Sequence, residues 1–209
     1  NTTEVAVGNY TIVASVEPAK HEANLTNNML VAGIVEIMSQ HDVAVTDIKT
    51  SRTWIYQTNP LDFNVTVENK GDFIENITLT LYYNISSEGI ISQATITNLE
   101  PGKNITITFM DTAETPTCHN YTIVATVTIK APDNNPADNI YVNGAIRVKL
   151  FGDVNDDQVI DISDLSITAQ AYGSYPGHPR WLLAADINMN LSVDICDLAL
   201  IAKNYGKAC

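Results

Sequence analysis

The chain has 209 residues, a formal net charge of −13 and a pI of about 4.4. That acidity, with no basic run anywhere, argues against a nucleic-acid partner, and no apolar stretch is long enough for a membrane span. The length suits one large or two small domains, and no signal peptide opens the sequence, so a mature or excised piece is expected.

Residues 1–37 form the first unit. Asn9-Tyr10-Thr11-Ile12-Val13-Ala14-Ser15-Val16 recurs 111 residues later as Asn120-Tyr121-Thr122-Ile123-Val124-Ala125-Thr126-Val127. The register continues through Asn28 and Asn139, Val31 and Val142, Gly33 and Gly144. This stretch is therefore expected to copy the last two strands of a sandwich without the five before them. An isolated hairpin is marginally stable and would expose an apolar face and both edges. Ile12, Ala14 and Val16 should face a core built by polypeptide from outside the stretch. Two sources are open: a removed upstream half-domain, or a neighbouring copy of the chain that accepts the hairpin by β-strand addition and so grows a filament.

The second unit, residues 38–150, reads as alternating strands. Asp42 to Ile48 opens it, and Leu61, Phe63, Val65 and Val67 alternate with polar partners. Stripes follow at Ile77 to Leu81, Ala94 and Ile96, Ile105 to Phe109, and Tyr121 to Val127, with Ile140 to Val148 closing. Seven strands separated by turn signals predict an immunoglobulin-like antiparallel β-sandwich. Pro60-Leu61-Asp62-Phe63-Asn64-Val65-Thr66-Val67-Glu68-Asn69-Lys70-Gly71, with Leu99-Glu100-Pro101-Gly102, resembles the cell-adhesion-related (CARDB-type) domains of prokaryotic surface proteins. The resemblance implies a structural or adhesive spacer without catalytic residues.

Asn-X-Ser/Thr sequons stand at Asn1, Asn9, Asn24, Asn64, Asn76, Asn84, Asn104, Asn120 and Asn190. Composition alone would give roughly three, so the excess points to a secreted glycoprotein carrying N-linked glycans. At Asn64, Asn76 and Asn104 the two-residue strand period should turn Asn and Thr outward and the intervening apolar residue inward. Cys118, Cys196 and Cys209 are odd in number, so at least one is free or pairs with another chain. A bridge between Cys196 and Cys209 is one option that the sequence leaves open.

The last unit, residues 151–209, carries a duplicated acidic loop. Asp153, Asn155, Asp157, Asp161 and Asp164 recur 33 residues later as Asp186, Asn188, Asn190, Asp194 and Asp197. These are positions 1, 3, 5, 9 and 12 of an EF-hand-type loop, with Val159 and Ser192 at position 7, and two bound Ca²⁺ ions are expected. Ca²⁺ takes six to eight oxygens, which a short loop supplies by pointing alternate residues inward. Asn190 is both sequon and ligand, and the metal is expected to hold it. Leu165 and Leu198, and Tyr172-Gly173 and Tyr205-Gly206, extend the repeat into helices over 162–172 and 195–205 that stop at glycine.

Gly152-Asp153-Val154-Asn155 through Asp164-Leu165, repeated at Asp186 to Leu198, resembles a dockerin. The resemblance implies calcium-dependent folding and docking onto a cohesin-like protein through positions 10 and 11, here Ile162-Ser163 and Ile195-Cys196. Position 6 is usually Gly because the chain turns there with φ > 0. Gln158 and Leu191 occupy it here, each at a cost of about 1 kcal/mol.

The fold class is thus mainly β with a small α module: a sandwich followed by a dockerin-like pair of calcium loop-helix units. Val148-Lys149-Leu150-Phe151-Gly152 leaves almost no linker between them, so Leu150 and Phe151 should pack at the junction. There is no HExxH, Gly-x-Ser-x-Gly, phosphate loop or dinucleotide fingerprint, so no enzyme is expected. Three roles fit: an extracellular or cell-surface assembly protein held by its dockerin-like module, a self-polymerising filament subunit, or the non-catalytic tail of a secreted hydrolase.

Overall fold

Strict alternation builds the β half. In the strand Leu61–Asn69, Leu61, Phe63, Val65 and Val67 are buried while Asn64 between them is exposed, the period-2 signature of a sheet with one wet face. The computed structural model describes residues 5–57, 59–84, 89–111 and 118–209. Its strands are β1 Gly8–Ser15, β2 Met29–Ile37, β3 Val43–Thr50, β4 Trp54–Tyr56, β5 Leu61–Asn69, β6 Glu75–Tyr83, β7 Ile90–Leu99, β8 Asn104–Asp111, β9 His119–Thr128 and β10 Ile140–Lys149. Two helices follow, α1 Ile162–Ala171 and α2 Ile195–Asn204, with a 3-10 turn at Leu183–Ala185 between them.

A five-stranded sheet in the order β4-β10-β9-β6-β7 faces a three-stranded sheet in the order β3-β5-β8. Phe63, Val65, Leu79, Leu81, Ile123 and Val148 are among the fully buried residues of the shared core. Among the described residues the sandwich therefore has eight strands, not the seven expected. The addition is β4, whose three residues pair in parallel with Arg147 to Lys149 of β10. At the other end the segment 40–42 lies against the turn after β5. Gly71 permits this, because a Cβ there would come within 2.7 Å of Asp42 N and Gln40 O.

The outward placement of Asn64, Asn76 and Asn104 holds, since all three are exposed. Their apolar neighbours differ: Val65 and Ile77 are buried, whereas Ile105 is 37% exposed. The difference arises because β8 is an edge strand and Ile105 sits near its beginning, where the opposite sheet no longer covers it.

β1 and β2 form a separate two-stranded sheet. Its register repeats that of β9 and β10 in all pairs but one. Tyr10 faces Val35 as Tyr121 faces Ile146, and Ala14 faces Leu30 as Ala125 faces Tyr141; the irregularity is displaced by one residue, Ile12 facing Gly33 but Ile123 facing Asn143. Even the closing bonds agree, Val16 N donating to Asn28 O and Val127 N to Asn139 O, both at 2.9 Å. Burial does not agree. Ile123, Ala125 and Val127 are covered, while Ile12 is 48% and Val16 67% exposed.

Candidate calcium-binding and docking site

Each loop is shaped by its own side chains accepting from its own backbone. Asp153 Oδ1 accepts from Asp157 N (3.1 Å) and its Oδ2 from Gln158 N (2.9 Å). Asp164 Oδ1 accepts from Val154 N (2.8 Å) and its Oδ2 from Asp161 N (2.9 Å). Asn155 and Asp157 each accept from the N–H two residues on. All of these recur 33 positions later: Asp186 accepts from Asn190 N and Leu191 N, Asp197 from Ile187 N and Asp194 N, Asn188 from Asn190 N and Asn190 from Ser192 N.

The bends needed for this wrap appear at positions 4 and 6. Asp156, Gln158, Met189 and Leu191 all have positive φ, between 56° and 75°. Gln158 and Leu191 thus adopt the backbone that glycine would take without strain, as the spacing predicted. Position 9 has a second task. Asp161 and Asp194 are the N-caps of α1 and α2, each closing a capping box with the position-12 aspartate. The helices run to Ala171 and Asn204, and Gly173 (φ 76°) and Gly206 (φ 81°) end them just beyond.

The donor chemistry suits a hard cation. Asp153, Asp164, Asp186 and Asp197 are at most 1% exposed. Burial, followed by neighbouring carboxylates such as Asp164, pushes the Asp153 carboxyl up despite its backbone donors, and burial with Asp197 does the same at Asp186. Buried carboxylates that repel one another are stabilised by a bound metal ion. Among the described residues no three His, Cys, Asp or Glu side chains already close as a metal cluster. The loops offer oxygens outside that set: the Asn155, Asn188 and Asn190 carboxamides and the position-7 main-chain carbonyls of Val159 and Ser192. Val159 bridges to Ala208 through the flanking bonds Ile160 N to Lys207 O and Cys209 N to Gln158 O, which leave its own carbonyl outside the ladder.

The expected docking residues lie at the helix starts. Ile162 and Ile195 are 65% and 64% exposed, with Ser163 and Cys196 exposed beside them. Cys196 is free, and the Asp194 carboxylate hydrogen-bonded to it pushes its thiol up, away from the reactive thiolate. It does not pair with Cys209. The disulfide joins Cys118 to Cys209, because the tail after α2 folds back over Gln158, and the Cα atoms of residues 118 and 209 lie 6.2 Å apart.

The sandwich grips both loops, a feature the sequence did not disclose. Tyr56, fully buried at the end of β4, donates to Ala184 O (2.7 Å) and also lies 3.3 Å from Asp153 O. Burial, then Asp153, Asp164 and Asp156, raises its hydroxyl pKa, so it stays a neutral donor. Arg147 bonds Asp156 through Nε and Nη2 (3.3 and 3.2 Å), Lys149 lies 3.6 Å from the same carboxylate, and Asn59 donates to Ile187 O. Leu150 and Phe151 pack at the junction as expected, in a cluster with Tyr56, Val154, Ile160 and Ile201.

Comparison with known proteins agrees with this division. Residues 151–205 match the family model of the dockerin type I domain, and residues 40–143 that of CARDB. Among solved structures, a CARDB domain from Pyrococcus furiosus in complex with di-metal ions is 22% identical, covering 55% of this chain and 98% of that one at a TM-score of 0.45. A domain of a putative cell surface protein from Methanosarcina acetivorans is 17% identical, covering 53% and 93% at a TM-score of 0.40. The sporulation control protein of Bacillus subtilis is 17% identical, covering 54% of this chain and 50% of that one at a TM-score of 0.36. No curated protein matches the chain.

Proposed function

Since the chain carries a CARDB domain followed by a dockerin type I domain, both of them non-catalytic modules, we propose that it is an extracellular or cell-surface assembly protein. It attaches, when two Ca²⁺ are bound, to a cohesin-like receptor. The observation that carries this reading is the bond-for-bond repetition of the two loops, each placing an exposed isoleucine at the start of its helix. Isolated apolar side chains on a rigid helical turn are suited to filling pockets on a partner. Because the two faces are copies, the decisive variant alters both. Ile162→Asp with Ile195→Asp should abolish calcium-dependent retention on immobilised cohesin modules while the chain still binds two ions in its loops. Retention unchanged by the double substitution, or persisting in chelator, would remove the docking role.

The β1–β2 hairpin belongs in this reading as the end of a preceding sandwich on the same polypeptide, making the protein an array of CARDB-like units. Support comes from its nearly identical pairing to that of β9–β10, which in the described sandwich closes a core built by the other strands. Donation into a second copy is disfavoured by the disulfide. That copy would have to expel its own β9–β10, which is bonded to the C-terminus through Cys118 and runs directly into the calcium module. The 209-residue chain should sediment as a monomer. Calcium-independent oligomers that vanish when residues 1–37 are removed would favour the filament instead. N-linked glycans are proposed at Asn9, Asn24, Asn64, Asn76, Asn104 and Asn120, all exposed. Asn1, and residues 85 and 86 of the Asn84 sequon, lie outside the described residues.

A further inference from the structure

At the end of the sandwich remote from the calcium module, three side-chain oxygens are buried without a hydrogen-bond partner: Asp42 Oδ1, Asp138 Oδ1 and Asn139 Oδ1. Buried polar atoms are nearly always paired, so orphans on neighbouring segments call for something the chain itself does not supply. Asp42, just before β3, is 8% exposed. Asp138 and Asn139 end the β9–β10 connection, and Asp138 O accepts from Val45 N, which ties that connection to β3 (3.0 Å). Asp133, in the same connection, accepts from Val43 N and Asn135 N.

The charges are unbalanced. After burial, the carboxylates of Asp138 and Asp133 are the largest influences raising the Asp42 pKa, with Glu68 adding to them. Against these four acids stands Lys70, 3.0 Å from Asp138 Oδ2. A water molecule could pair an orphan oxygen but would leave the excess negative charge. An oxygen-seeking cation meets both needs, and a mixed carboxylate and carboxamide donor set is of the type calcium takes. The internal repeat keeps oxygen donors at all three connection positions: Glu22, Asn27 and Asn28 stand where Asp133, Asp138 and Asn139 do.

We propose that Asp42, Asp138 and Asn139 form a third calcium site, which pins the β9–β10 connection to the start of β3. Two of its three side chains are carboxylates, so it is no closed acidic cluster, and water or main-chain oxygens complete the shell. With few protein charges committed, its affinity falls in the weak range of extracellular modules, about 10⁻⁴–10⁻³ M. The proposal stands apart from the docking role, because neither loop of the calcium module contributes to it.

Equilibrium dialysis with Ca²⁺ at millimolar concentration tests it on the whole chain. Three ions should bind to the unaltered protein, and one to the chain carrying Asp153→Ala and Asp186→Ala. That remaining ion should raise the melting temperature of the sandwich, and either Asp42→Asn or Asp138→Asn added to the pair should release it. The second variant guards against misfolding at Asp42, because Asp138 is partly exposed. Two ions on the unaltered chain, none on the loop-deficient one, or an ion that survives both Asp→Asn changes would each overturn the proposal.

Discussion

Two hairpins of this chain have nearly the same first strand and almost the same register and yet opposite surroundings. β9–β10 has β6 on one edge, β4 on the other and the β3-β5-β8 sheet across its face, so Ile123, Ala125, Val127, Ile146 and Val148 on that face are buried. Among the described residues β1 and β2 pair only with each other, and the matching Ile12, Val16 and Val35 are exposed. Local sequence therefore specifies strand, bulge and pairing, while burial is conferred by what lies beside them.

The largest expected asymmetry between the copies comes from calcium removal. Chelation should unfold residues 152–206, whose core is small and whose buried carboxylates then repel, and it should leave β9–β10 protected and β1–β2 unaffected. Amide exchange by segment reads all three; helix signal and protease resistance unchanged in chelator would show that metal does not hold the module. Next, Ile123→Ala should cost the sandwich about 2–5 kcal/mol, whereas Ile12→Ala in the same 209-residue chain should stay within about 0.5 kcal/mol. Denaturant midpoints measure both, and equal losses would mean that β1–β2 is already buried in solution.

Tyr56→Phe should cost about 1–2 kcal/mol by leaving Ala184 O without its donor, and should loosen the grip on the first loop. The copy in β1–β2 has no such partner, so only the β10 side responds; a double-mutant cycle with Arg147→Ala would expose any coupling. The smallest effect is on glycosylation. Asn9 and Asn120 are matched sequons and both exposed, and both should be occupied in native material, with Asn190 bare if calcium is to engage its carboxamide as proposed. Peptide mass spectrometry distinguishes them, and a fully glycosylated Asn190 would take that side chain out of the metal shell.

The calcium loops were legible because their information is local. The alternating oxygen-bearing residues of each loop fit within a dozen residues, their copy lies 33 positions on, and the positive φ at Gln158 and Leu191 followed from loop position alone. The sandwich core was readable for the same reason, through alternation. What escaped depends on distant neighbours. β4 has three residues, too few to show a period, and is recruited by β10. Tyr56 reaches a carbonyl 128 residues away, and Cys118 finds Cys209 across 91. Ile105 kept its apolar character in an alternating run, and its exposure reflects the end of an edge strand, which no pattern announces.

The Cys118–Cys209 bond has a mechanical consequence. A receptor holding the helix starts, as proposed above, would pull on a closed covalent ring, which includes β9, β10 and the whole calcium module. Tension entering at Ile162 or Ile195 then runs to the sandwich by two routes, backward through β10 and forward through the C-terminal tail to Cys118. If the calcium module yields under load, the ring shares the force between its arms and prevents the tether from paying out its full contour. Without that bond the roughly 45 residues from Leu150 to Ile195 would pay out about 150 Å of slack. Reduction of that one bond would turn a stiff coupling into a compliant one without altering either docking face.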